Sequence, residues 1–166
     1  MGETMLRLVK SALVAVIGFH ALFYALQNIA NLEAALASLT YVMSGADNTA
    51  YPETLFFKSD SLTLAWIALT LVLAGEFTTA FFGLKGGWDL FAARKADAAG
   101  FHAAKKASAL AAGFALLTWF GLFMTIGSAF FQMWQTQVGD GSLKGAFMFA
   151  TASAVTVLFV YLVPDD

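Results

Sequence analysis

The sequence predicts an all-α integral membrane protein, a four-helix transmembrane bundle, and three observations support that fold class. Of 166 residues, 60% are apolar and only 12% are charged, which is about half the charged share of a soluble domain. Four segments are long and apolar enough to cross a bilayer core of about 30 Å. Lysine and arginine are concentrated on one side of these segments. The composition excludes a disordered chain, a nucleic-acid-binding surface and an ordinary soluble enzyme, because one core of this size cannot hide so much apolar surface.

The four predicted spans lie in a single domain that covers residues 1–166. Their approximate bounds are 8–29, 61–84, 107–131 and 145–163. The last two contain no charged residue, and the second contains only Glu76. A cleavable signal peptide would continue into a small-residue cleavage site, whereas polar Gln27, Asn28 and Asn31 close the first apolar run. We therefore interpret the first segment as a retained span.

The basic residues predict the orientation of the spans. Seven of them flank the side that carries both termini and the connection between spans two and three: Arg7, Lys10, Lys85, Arg94, Lys95, Lys105 and Lys106. Only Lys58 and Lys144 lie on the other side. Because short cytoplasmic segments of membrane proteins carry an excess of lysine and arginine, we expect both termini and the central connection to face the cytoplasm.

Two connections are predicted to be helical. After span one, apolar residues recur at helical spacing from Leu32 to Met43, which predicts a short amphipathic helix on the membrane surface or folded over the bundle. Between spans two and three, the stretch Trp88 to Ala98 is rich in Ala, Leu, Arg and Lys. We expect span two to continue there, turn at Gly100 and form a helical hairpin that extends into the cytoplasm. The alternative is a helix break at Gly86-Gly87.

Small residues four apart mark faces on which helices approach each other closely in lipid. Span four carries Ala146, Ala150 and Ala154. Span three carries Gly121, Thr125 and Ala129 at the same spacing. Two interpretations remain open for the stripe on span four. It packs within the bundle, or it docks a partner subunit.

Four polar residues form a candidate intramembrane site: Glu76, His20, Gln27 and Asn28. A carboxyl group at membrane depth costs several kcal/mol unless it is protonated or paired. Glu76 is therefore either a proton or ligand site, or a neutral or hydrogen-bonded group that joins span two to a neighbour. At helical rise, Glu76 lies about 13 Å from Lys85 and His20 about 15 Å from Lys10. A contact between His20 and Glu76 is allowed if the two spans are neighbours.

A second candidate site, an outer interface, lies at the outer end of span three and consists of Gln132, Trp134 and Gln135. It would bind a lipid headgroup or a loop of a partner. The alternative is that the polar side chains only cap helix ends and bind water.

We predict no catalytic residue, no metal and no cofactor, although the composition is compatible with a bound lipid. The chain has no cysteine, and its two histidines alone cannot form a zinc site. His20 lies within a span and His102 in the cytoplasmic connection, so a haem with both as axial ligands is excluded within one chain. The sequence contains no nucleotide-binding loop and no nucleophile motif. We expect no nucleic-acid partner.

Several stretches resemble a known family over nearly the full length of the chain. They are Ala25–Asn28, Gly75–Ala80, Trp88–Asp97, Phe131–Gln137 and Val163–Asp165. The most specific part is Met133–Gln137. These stretches are similar to a bacterial family described as predicted small integral membrane proteins, domain of unknown function 2165. The resemblance implies four spans in a bacterial inner membrane, and it implies no activity.

Three functions follow as hypotheses. The lack of a catalytic motif, together with the small-residue faces, favours a non-enzymatic accessory or assembly subunit of a larger membrane complex. Its expected partners are membrane lipids and other membrane protein subunits. The first alternative is a small carrier or proton-coupled transporter centred on Glu76. The second alternative is a lipid- or quinone-binding membrane protein.

Overall fold

A computed structural model describes residues 2–165, with side chains from Thr4 onward. Within this part of the chain, six α-helices follow one another: α1 Gly2–Ala30, α2 Leu32–Ser44, α3 Leu62–Ala92, α4 Ala98–Ala103, α5 Lys106–Ala115 and α6 Gln137–Leu162. The helix α5 continues directly as a π-helix, Leu116–Phe130. No strand occurs in residues 2–165, and the predicted all-α fold class is confirmed.

Within the described part of the chain, four helical stretches are long and apolar enough to cross a membrane. They are Thr4–Ala30, Leu62–Lys95, Ala98–Phe130 and Gln137–Leu162. Each stretch overlaps one predicted span and extends beyond it at one end or both. The predicted number of membrane-length helices is therefore confirmed.

The helices form a bundle with two different ends. Along its length, α1 packs on α3, α3 packs on α5, and α6 packs on the π-helix. One end, which we call the terminal end, carries the first turns of α1, the helix α4 and the segment that follows α6 up to Asp165. The opposite end, the distal end, carries α2 and the loop 45–61.

Local sequence signals set most helix boundaries. The helix α2 ends at Gly45, whose φ of 60° lies in the left-handed region that glycine tolerates. The side chains of Ser61, Asp97 and Thr136 each accept a hydrogen bond from a backbone N–H in the first turn of α3, α4 and α6. Each cap satisfies a donor that the helix itself leaves without a partner.

The helices of the terminal half touch through glycine. A Cβ atom placed on Gly83 of α3 would lie only 2.6 Å from the Cα of Gly18 on α1. One turn further along α3, Gly86 faces Ser108 of α5, and a Cβ on Gly87 would lie 2.8 Å from that of Ala15. Backbones at this distance gain dispersion contacts that larger side chains would prevent.

The small residues of α6 pack inside the bundle. Ala146 and Ala150 are buried in the central core cluster with Ala21, Ala80 and Trp119. The interpretation of this stripe as a docking face for a partner is therefore wrong for Ala146 and Ala150. The alternative, ordinary packing within the bundle, describes them.

The connection between α3 and α5 folds against the terminal end. The helix α3 runs through Gly86 and Gly87 without a break, so the alternative of a break there is wrong. The predicted turn at Gly100 is also wrong, because Gly100 lies inside α4. Phe101 is fully buried against Val14, Leu90 and Val160. This contact holds the connection on the bundle. The predicted continuation of span two beyond Trp88 is confirmed as far as Ala92, and the extension of the hairpin into the cytoplasm stays a prediction.

Candidate functional site

Four buried charged side chains meet at the terminal end, and we call them the terminal cluster: Arg7, Lys10, Lys105 and Asp165. The carboxylate of Asp165 accepts hydrogen bonds from Lys10 Nζ and Lys105 Nζ, both at 2.6 Å. The two lysines are 0% and 1% exposed. Burial alone would raise the pKa of Asp165, but the hydrogen bonds from the two lysines hold it below the ordinary value.

The terminal cluster fastens the C-terminal segment to the rest of the bundle. Lys10 Nζ donates to the carbonyl of Val163 at 2.5 Å. Arg7 donates to the carbonyl of Asp165 at 2.8 and 3.0 Å and to that of Ala96 at 2.6 Å. Sequence reasoning assigned these basic residues to orientation alone and missed the cluster. The signal that could have found the cluster was Asp165, an acidic residue on the side of the spans that carries most of the lysine and arginine.

Glu76 is buried and hydrogen-bonded to a neighbouring helix. Its exposed fraction is 1%, and Asn28 Nδ2 on α1 donates to its two carboxyl oxygens at 3.0 and 3.1 Å. No cation pairs with Glu76 among residues 2–165. The contact therefore joins α3 to α1 through two side chains that the sequence places in one candidate site.

His20, the third polar residue of that site, does not meet Glu76. Its ring packs among three aromatic rings, with centroid distances of 4.1 Å to Phe149, 4.9 Å to Tyr24 and 5.8 Å to Trp119. Its buried Nε2 atom has no hydrogen-bond partner within the described chain. The structure thus separates an aromatic cluster around His20 from the Asn28–Glu76 pair.

The register of α1 on α3 explains this separation. Gly18 meets Gly83, so His20 lies close to the level of that crossing. On α3, Glu76 lies seven residues from Gly83 in the direction of the distal end, which is about 10 Å at helical rise. The sequence estimate of depth fails because α3 continues past Lys85 to Ala92, and the half-exposed Lys85 pairs with Asp89 on the helix surface.

A groove of about 740 Å³ opens in the distal half of the bundle. It lies between the distal end of α1, the helices α2 and α3, the π-helix and the first turns of α6. Most of its wall is aliphatic or aromatic. The polar members of the wall are Tyr24, Gln27, Asn28, Asn31, Ser38 and Ser142. Its volume falls in the range of roughly 300–1,000 Å³ that is typical of small-molecule sites.

The walls of this groove carry no formal charge among the described residues. Glu76 is not part of the wall, but its partner Asn28 is. Gln27, the fourth residue of the predicted intramembrane site, also lies on the wall and is exposed. The groove thus combines a large apolar surface with amide groups from one face of α1.

The predicted outer interface contacts the distal loop of the same chain. Gln135 Oε1 accepts from the Tyr51 N–H at 2.8 Å, and Gln135 Nε2 donates to the Tyr51 carbonyl at 3.1 Å. Gln135 Nε2 also donates to Gln132 Oε1 at 2.8 Å. The Trp134 ring meets the Tyr51 ring edge to face, with centroids 5.5 Å apart. These residues fasten the loop 45–61 to the end of the π-helix.

Residues 4–165, whose side chains the structure describes, contain no cluster of three or more His, Asp or Glu side chains that would hold a metal ion.

The comparisons with known proteins give a family without an activity. The model of a family described as "Predicted small integral membrane protein (DUF2165)" matches residues 6–163. No curated protein and no solved structure matches the chain. A function must therefore be argued from the geometry above.

Proposed function

We propose that this chain, which belongs to the family of predicted small integral membrane proteins (DUF2165), is a non-enzymatic membrane protein that binds a lipid-soluble molecule in its distal groove. The observation that carries the proposal is the groove of about 740 Å³ with its apolar wall. Of the three functions predicted from the sequence, this is the lipid- or quinone-binding alternative.

Two features of the groove support ligand binding. The wall comes from four membrane-length helices and α2, so an apolar ligand would enter from the bilayer without crossing water. Small residues on α2 and α3, among them Ala34, Ala35 and Ala68, leave the space between the helices open. Apolar walls with a few placed polar groups are the usual composition of ligand sites.

The experiment fills the groove with a bulky side chain. Ala34 lines the groove and is exposed on α2, whereas Ala37, also exposed on α2, is not part of the wall. The full chain and the variants Ala34→Trp and Ala37→Trp are purified in mild detergent, and bound molecules are extracted and identified by mass spectrometry. We expect a stoichiometric lipid-soluble molecule with the wild type and Ala37→Trp, and its loss with Ala34→Trp. Equal recovery from all three proteins would overturn the proposal.

An accessory or assembly subunit is the second candidate, and one observation favours it. In the distal loop, Leu55 is fully exposed and Tyr51, Phe56 and Phe57 are each at least half exposed. Exposed apolar patches outside a membrane span mark interaction sites. Mild-detergent purification with identification of co-purifying proteins tests this function. Recovery of one membrane complex that is lost in Leu55→Ser would support it, and recovery of the chain alone would contradict it.

The carrier alternative centred on Glu76 has less support. Glu76 is sealed from solvent at 1% exposure, and its partner is an amide rather than a second ionisable group. A transport pathway needs several polar groups near mid-membrane.

For the location, we propose the bacterial inner membrane with both termini in the cytoplasm. The distribution of lysine and arginine supports this orientation. Cysteine labelling of the variant Lys95→Cys in intact cells tests it, since labelling by a membrane-impermeant reagent would place the central connection outside.

A further inference from the structure

We propose that the ligand of the distal groove is an uncharged lipid with a free hydroxyl group, of the diacylglycerol type, and that the side-chain oxygen of Asn28 accepts a hydrogen bond from that hydroxyl. This inference rests on the proposed ligand-binding function and names the chemistry of the ligand. It follows from the charge of the groove and from the contact between Asn28 and Glu76.

The absence of charge on the described wall selects the class of ligand. Phosphate headgroups are bound strongly by arginine and lysine side chains. The described wall holds no cationic side chain, and the buried cations Arg7, Lys10 and Lys105 lie at the opposite end of the bundle. Toward the distal end, Lys58 and Lys144 are exposed, and each donates a hydrogen bond within the chain. An anionic headgroup would therefore enter the groove without a cationic partner on its wall, at the cost of its desolvation. An uncharged polar head avoids that cost.

The contact with Glu76 determines which atom of Asn28 is available. Asn28 Nδ2 donates to both oxygens of the Glu76 carboxyl group. The other polar atom, Asn28 Oδ1, has no hydrogen-bond partner among the described residues and is not sealed in the interior. Asn28 lies on the groove wall and its Nδ2 is held by Glu76, so Oδ1 is the polar side-chain atom of Asn28 that is left for a ligand. A hydroxyl group supplies a donor for this oxygen, whereas an ester or ether oxygen does not.

Glu76 acts as a positioning residue in this arrangement. It is 1% exposed and does not line the groove, so it affects a ligand only through Asn28. While its carboxyl group accepts from Nδ2, the amide cannot rotate to present the nitrogen in place of the oxygen. A glutamine at position 76 can accept the same hydrogen bond, and a leucine cannot.

The test compares two probes that differ only at the hydroxyl group. The full chain is reconstituted in nanodiscs of phosphatidylcholine with dioleoylglycerol that carries a photoactivatable group on one acyl chain, or with its acetylated form. Crosslinked residues are mapped and the yields in the groove are compared. We expect the free hydroxyl form to label the groove about five- to tenfold more than the acetylated form, the ratio that one hydrogen bond gives.

Variants assign this preference to Asn28. Asn28→Leu is expected to lower the ratio to about one without reducing the yield of the acetylated probe. Ser142→Ala is the matched control, because Ser142 also lines the groove but its hydroxyl donates to the Val138 carbonyl. Glu76→Gln should keep the preference and Glu76→Leu should reduce it. If Asn28→Leu fails to fold, the double variant Asn28→Leu with Glu76→Leu removes both polar partners and leaves no buried carboxyl group without a hydrogen bond.

The possible results separate the two proposals. Equal labelling of the groove by both probes in the wild type would overturn the hydroxyl-bearing ligand and leave the ligand-binding function standing. A hydroxyl preference that survives in Asn28→Leu and in the double variant would also overturn it. Labelling of neither probe in the groove would overturn both proposals.

Discussion

In the terminal half of the bundle, helix backbones meet at Gly18 and Gly83, and at the terminal end a buried carboxylate joins two buried lysines. At the distal end, the same helices leave a groove of about 740 Å³, and one amide–carboxyl contact joins α1 to α3. The two regions differ in how closely the helices approach. Gly18 and Gly83 let α1 and α3 touch through their backbones, whereas the distal helices leave a groove between them.

This difference between the two ends indicates which part of the bundle contributes more to the free energy of unfolding. Close backbone contact and buried ion pairs join the helices in the terminal half. At the distal end, an apolar cluster of Leu36, Met43, Ala65 and Leu69 packs α2 on α3, but the groove leaves part of the helix surface without a neighbour. Regions with few buried contacts are those that open or bind ligands most readily. The predictions below test whether the terminal end carries the stability and the distal end tolerates change.

The largest effect is expected from Asp165→Ala. This variant leaves Lys10 and Lys105 buried without their carboxylate, and removal of one partner from a buried ion pair costs about 3–5 kcal/mol. Chemical unfolding in mixed micelles measures the loss. Asp89→Ala is the control, since it breaks the exposed pair with Lys85 and should change the free energy of unfolding by less than about 1 kcal/mol. Similar losses of unfolding free energy in the two variants would show that the buried ion pairs of the terminal cluster stabilise the fold no more than an exposed pair does.

The glycine contact gives the next largest effect. Gly83→Ala places a methyl group 2.6 Å from the Cα of Gly18, and such overpacking costs about 1–3 kcal/mol. Gly113→Ala serves as the control, because a Cβ there meets nothing within 4 Å. It should leave stability unchanged or raise it by up to about 1 kcal/mol. Equal thermal stability of both variants in detergent would contradict the close contact.

At the distal end, Glu76→Ala should cost about 1–2 kcal/mol through the lost hydrogen bonds to Asn28. Glu76→Gln retains an acceptor for the same donor and should alter stability little. Thermal unfolding of both variants distinguishes this structural role from proton transfer, in which Glu76→Gln would abolish function with the fold intact. A loss in Glu76→Ala as large as that in Asp165→Ala would remove the contrast between the two ends.

The smallest effect is a loss of stability in acid. The pKa of Asp165 in the folded protein lies below its ordinary value of 3.8, so the ion pairs contribute fully above that pH. Their contribution is lost as the pH falls from there through the lowered pKa of the folded state. We expect the melting temperature of the wild type to fall in this range relative to that of Asp165→Asn, which lacks the titrating group. Parallel pH profiles for the two proteins would exclude Asp165 as the cause.

Much of the fold is predictable from the sequence because the signals are local. Hydropathy over about 20 residues identifies membrane-length helices, and the structure has four of them. The candidate site is predicted less completely. Glu76 and Asn28 were both candidates, but the choice between His20 and Asn28 as the partner of Glu76 depends on the register of α1 on α3. The hydrogen bond between Lys10 and Asp165 joins residues that are 155 positions apart. Such a contact has no local pattern in the sequence.

The sequence by itself determined the composition of the spans, their number and the residue types available at membrane depth, because each of these is a property of one segment. Only the tertiary structure decided that Gly18 meets Gly83, that Asn28 therefore reaches Glu76, and that the distal helices leave a groove. The physical reason is that helix register and separation depend on the shapes of two surfaces at once. Two glycines that face each other allow contact, and neither glycine alone indicates where its partner lies.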